Sequence, residues 1–139
     1  MKHNLLLCTF FITLSAWAQQ PSPEDDPIGR QLFPPDLIMA QSQRLHLDDK
    51  QRTTIKTEVQ RAQSKFFDLQ WEAKEAGEAM AQLLQQTPID EARVLEQADK
   101  VMAREREIKK IHLSMLIRIK NALTREQIAL LTQMRQPNH

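Results

Sequence analysis

Two long stripes of apolar residues, separated by one proline breaker, restrict what this chain can fold into more than any other feature. Ile55, Val59, Ala62, Phe66, Leu69, Ala73, Ala76, Met80 and Leu83 are spaced alternately four and three apart. That spacing lays them along one face of a single long helix. After Thr87-Pro88 the alternation resumes with Val94, Ala98, Val101, Glu105, Ile108, His112, Met115, Ile119 and Ala122, of which Glu105 and His112 are the polar members. A chain that reverses at Thr87 pairs residues whose numbers sum to about 174. Ile55 then faces Ile119, Val59 faces Met115, Phe66 faces Ile108, Ala73 faces Val101 and Met80 faces Val94. The pattern predicts an antiparallel helical hairpin whose first arm, Asp48 to Gln86, is about 58 Å long at ~1.5 Å per residue. Thr87 reads as the N-cap of the second arm, with Pro88 at the first helical position and Asp90 in the first turn.

The hairpin is flanked by shorter elements. Pro34-Pro35-Asp36 opens a short helix expected to end near Leu45 to Leu47, and a last helix carries Ile128, Leu131 and Met134. Gly77 is the weak point of the first arm, a site for a close contact or a bend. The fold class expected is all-α: a long hairpin between two short helices, spanning residues 34–136. Before it, residues 1–18 read as a signal peptide. Lys2 and His3 are followed by the apolar run Leu5 to Leu14, and Ala16-Trp17-Ala18 is a small-residue cleavage site. Residues 19–33 carry Pro21, Pro23, Pro27, Glu24, Asp25 and Asp26 and read as a disordered arm, with Ile28 to Phe33 docking loosely. Cleavage after Ala18 removes Cys8, the only cysteine, and export is expected to place the protein in an oxidising space without a cystine staple.

Charge and composition exclude several function classes. Loss of Lys2 leaves 18 basic and 18 acidic residues, a net charge of zero with histidine neutral. A nucleic-acid binder normally shows a basic excess or stripe, so no nucleic-acid partner is expected. The apolar run Ile111 to Ile119 is interrupted by His112 and Arg118 and is too short to span a bilayer. A glycine-rich phosphate loop, a cysteine nucleophile after cleavage and a defined acid–base pair are all lacking, so an enzyme is not expected.

Leu47-Asp48-Asp49-Lys50-Gln51 and Leu123-Thr124-Arg125-Glu126-Gln127 share one pattern, Leu-(Thr/Asp)-x-x-Gln. Each is a capping box: Asp48 or Thr124 is the N-cap, Gln51 or Gln127 the third helical residue, and Leu47 or Leu123 the hydrophobic staple. The paired boxes around a long hairpin, behind an export signal, resemble the Spy/CpxP family of periplasmic stress chaperones, which includes zinc-resistance-associated and heavy-metal-sensor proteins. The resemblance covers Pro34 to Arg135. It implies a cradle-like α-helical homodimer. Chaperone members bind unfolded clients without ATP, and sensor members bind divalent metal and signal to a membrane partner.

The residues bear on both readings. Phe67 and Trp71 share a helix face off the hairpin stripe, as do Leu113 and Ile117 beside Leu116. Such faces meet the short helices, a dimer partner or unfolded clients. Phe33, Leu37, Ile38 and Met39 either cover Phe67 and Trp71 or extend the apolar surface. A metal site needs converging donors. His46, Glu58, His112 and Met115 form the candidate set, for zinc, copper, nickel or cobalt; the bland reading of His112 is a partly buried core histidine. The leading expectation is an ATP-independent periplasmic chaperone or envelope stress protein that needs no cofactor and binds misfolded envelope proteins. The alternatives are a heavy-metal sensor or resistance protein, and an adaptor for a membrane sensor kinase or anti-sigma factor.

Overall fold

The protein's structure, a computed structural model, describes residues 28–135. A short 3-10 turn, Gly29–Gln31, leads into four α-helices: α1 Pro35–Ala40, α2 Asp49–Leu84, α3 Glu91–Asn121 and α4 Arg125–Arg135. No strand occurs among the described residues. The two long helices pack against each other as an antiparallel hairpin. The leader 1–18 and arm residues 19–27 lie outside the described residues.

The first stripe is realised throughout: Ile55, Ala62, Ala76 and Leu83 are buried, and Val59, Phe66, Leu69, Ala73 and Met80 are half-buried. Across the hairpin Glu58 meets Arg118 and Glu72 meets Arg104. The residue numbers of both pairs sum to 176, close to the expected value of about 174. The second stripe needs a correction. Glu105 and His112 are exposed, while their neighbours Arg104 and Ile111 are half-buried. A straight helix drifts by ~20° per heptad against a strict seven-residue repeat, so adjacent positions compete for the inner face. Apolar Ile111 takes that face in place of His112. At Arg104 the guanidinium reaches across to the Glu72 carboxylate.

The helix ends also differ from the sequence expectation. The N-cap of α3 is Asp90, not Thr87, and its Oδ1 accepts from Arg93 N–H at 3.1 Å. Aspartate caps at least as well as threonine, and starting there leaves Glu91 in the first turn, where the helix dipole favours negative charge. Helix α1 stops at Ala40, short of Leu45. Residues 41–46 form turns that close on a Schellman motif: Leu47 N–H donates to Ser42 O and His46 N–H to Gln43 O, both at 3.1 Å. His46 occupies the left-handed position of that motif, with φ 48°. At Gly77 a Cβ would meet nothing within 4 Å, so no close contact requires this glycine.

The core is concentrated at the open end of the hairpin. Ile38, Leu47, Ile55, Ile119 and Leu131 are its largest fully buried side chains. Each stabilises the fold by roughly 1.5–3 kcal/mol relative to exposure. The segment 28–33, read as loosely docked, is pinned. Leu32 and Phe33 are buried. The Arg135 guanidinium donates to Gly29 O, Arg30 O and Leu32 O, at 2.8, 3.2 and 2.7 Å, and lies over the Phe33 ring. Lys120 Nζ donates to Gln31 O at 2.6 Å.

Two substitutions test these backbone assignments by thermal unfolding. Gly77→Ala is expected to stabilise the protein by about 1 kcal/mol, because alanine gains helix propensity in open space. A lower melting temperature would show that the glycine answers a constraint in α2. His46→Gly is expected to stabilise by about 1 kcal/mol through relief of the left-handed backbone. A loss of stability would show that the imidazole contributes more than the backbone strain costs.

Candidate functional site

The two capping boxes close on one another. In the first, Asp48 Oδ1 accepts from Gln51 N–H at 2.7 Å, and Gln51 Oε1 accepts from Asp48 N–H at 3.1 Å. In the second, Gln127 N–H donates to Thr124 Oγ1 at 3.2 Å, and Thr124 N–H donates to Gln127 Oε1 at 2.8 Å. The glutamines then bond to each other: Gln51 Nε2 donates to Gln127 Oε1 at 2.8 Å, and Gln127 Nε2 donates to Gln51 Oε1 at 3.1 Å. Their remaining N–H groups reach backbone carbonyls, Gln51 Nε2 to Ala122 O and Gln127 Nε2 to Leu45 O, both at 2.9 Å. Both side chains are buried, and every amide donor and acceptor position is filled. Leu47 and Leu123, the staples, enter the core beneath them. Arg52 donates to Leu47 O through Nε and Nη2. Glu126, exposed in the first turn of α4, has its carboxyl held below the usual carboxylate value, first by its own backbone N–H and then by Thr124. The box residues are therefore structural caps, and they also clasp the two ends of the hairpin to each other.

The candidate metal set is not assembled. His46 is exposed at the Schellman turn. Glu58 is only 13% exposed and lies between Arg61 and Arg118, each at 3.2 Å. Glu58 and buried Met115 line one side of the hairpin, around a cavity of about 200 Å³ that also takes Arg61, Lys65, Lys110 and Arg118. His112 points into a different groove and stacks on Phe66, with ring centroids 6.4 Å apart and planes at 24°. Among the described residues no three His, Cys, Asp or Glu side chains converge as metal ligands.

The apolar set divides in two. Phe33 and Ile38 are core residues, 3% and 0% exposed, and Leu37 packs against that core. None of the three is free surface. Phe67 and Trp71 remain 68% and 55% exposed, and Met39 41%, so the short helices do not cover the outer face of α2. Trp71 Nε1 donates to Glu75 Oε1 at 2.8 Å, and Lys74 Nζ lies 5.4 Å from the Trp71 ring. Leu113 and Ile117 are exposed on α3, as are Leu95 and Met102, whereas Leu116 packs on the core.

Two features escaped the sequence reading. The contact between the boxes was signalled by the hairpin register, which brings Gln51 level with the second box. The Arg135 grip on the carbonyls of residues 29, 30 and 32 had no such signal, because carbonyl recognition leaves no side-chain pattern.

No curated protein and no solved structure matches the chain. A family model described as heavy-metal resistance matches residues 4–129, almost the whole chain. That family lies in the Spy/CpxP-like clan, in line with the resemblance carried by the two boxes. The clasped four-helix chain belongs to the heavy-metal resistance family.

Proposed function

We propose that the protein acts in heavy-metal resistance in the periplasm by binding a divalent metal ion and presenting the loaded state to a membrane partner. The observation that carries this reading is the family match over residues 4–129. The accessible imidazoles of His46 and His112 support it as metal-donor groups on a chain with few histidines. Neutral imidazole suits zinc, copper and nickel.

Isothermal titration of the metal-free protein with zinc, copper, nickel and cobalt tests the reading. Saturable, stoichiometric binding of at least one metal is expected, weakened about tenfold or more by His46→Ala or His112→Ala. No saturable binding of any of the four would reject metal binding. Tight binding unaffected by either variant would remove both histidines from the site.

A second reading rests on the uncovered apolar face of Phe67 and Trp71, bordered by Lys74 and Glu75. Such a surface suits unfolded client segments, as in a chaperone. Suppression of client aggregation by the same metal-free protein, reduced in the Phe67→Ser/Trp71→Ser double variant, is the outcome this reading requires. Equal suppression by the variant would eliminate that face as the contact.

A further inference from the structure

A large concavity lies on the side of the hairpin that carries His112. The pinned 28–34 segment forms one wall, and α2 and α3 form the floor. Its volume is about 940 Å³, near the top of the ~300–1,000 Å³ range of ligand sites. Phe66, Ile108, Leu113, Leu116 and Leu32 supply an apolar surface, and the stacked His112 ring extends it. The charged residues that line the groove are all cationic, Arg30, Lys109 and Arg135, and no carboxylate lines it. Arg135 is occupied by the segment it pins. Arg30 and Lys109 form no side-chain ion pair among the described residues. An apolar floor beneath cations that have no ion-pair partner among the described residues complements a ligand with a hydrocarbon body and one anionic head.

We infer that this groove binds a single-chain fatty acid, its tail along Phe66, Ile108 and Leu113 and its carboxylate against Arg30 and Lys109. A neutral amphiphile of the same length would fill the floor and leave both cations unpaired. An acidic partner helix would need polar contacts along its length, and the floor offers only Gln70 besides His112.

Titration calorimetry with sodium octanoate, decanoate and dodecanoate, each below its micelle concentration, tests the site. Dodecyl maltoside serves as the neutral control. One ligand per chain is expected, with affinity rising about fourfold per added methylene until the tail outgrows the groove. Lys109→Glu is expected to weaken dodecanoate binding by about tenfold or more, since it reverses charge at the head-group position. Lys50→Glu, an exposed charge reversal outside the groove lining, is expected to leave binding unchanged. Equal affinity for dodecyl maltoside and dodecanoate would overturn the inference, as would indifference to Lys109→Glu. A protein that sediments as a dimer and takes up no dodecanoate would assign the groove to a second copy, which also overturns it.

Discussion

The reciprocal pair of hydrogen bonds between Gln51 and Gln127 is the interaction on which the rest of the structure depends. Each glutamine caps the start of its own helix and reaches a carbonyl beside the other box, so the two amides tie together the starts of α2 and α4, the end of α3 and the turn before α2. A buried polar group without partners costs ~1–3 kcal/mol, and here none of the amide groups lacks one. The arrangement is also exacting. A slip of either helix by one residue would break several of these bonds at once. The hydrophobic stripes tolerate such a slip far better, because Leu, Ile, Met and Ala are close substitutes for one another in a two-helix seam. The stripes make a hairpin, and the glutamines select one register for it.

That division of labour places rigidity at one end. The fully buried side chains, the Arg135 grip and the clasp all lie near the termini of the long helices. Toward the turn the seam contains Ala73, Ala76 and Met80, and Leu84 and Ile89 are exposed. Local opening is expected to be easier there, where few apolar groups are buried. The long helices carry exposed apolar residues on their outer faces, Phe67 and Trp71 on one and Leu95, Met102 and Ile117 on the other. A two-helix layer has no second layer to hide them. Membership of the heavy-metal resistance family gives this scaffold a biological setting. The chemistry on its surface is that of dispersed imidazoles, paired charges and uncovered apolar faces, with no preassembled ligand cage among the described residues.

Much of this was legible before the structure, for identifiable reasons. The first stripe, the hairpin and both capping boxes follow from periodicity and local side-chain-to-backbone chemistry, which act over a few residues. What failed were choices between neighbours. His112 against Ile111 and Glu105 against Arg104 differ by one position on a drifting stripe, and local spacing does not decide between them. Asp90 prevailed over Thr87 because both are good caps within one turn of each other. The sequence leaves Phe33 and Ile38 either covering Phe67 and Trp71 or extending the apolar surface, because they sit in short elements with no clear period and their burial in the core depends on the ends of the hairpin. The four candidate metal residues are not brought together, for a similar reason. Residues three apart on a helix share a broad face, but His112 and Met115 fall on either side of the seam, and Glu58 is taken by two arginines.

A double-mutant cycle on Gln51→Ala and Gln127→Ala, followed by denaturant unfolding, measures the clasp most directly. Each single variant is expected to lose about 2–3 kcal/mol, since each leaves buried partners unpaired. The double variant is expected to lose less than the sum of the two by at least ~1 kcal/mol, the coupling expected of residues in one buried network. Losses that add to within ~0.5 kcal/mol would contradict the account, because the two boxes would then be independent helix caps and the hairpin would be held in register by its apolar seam alone.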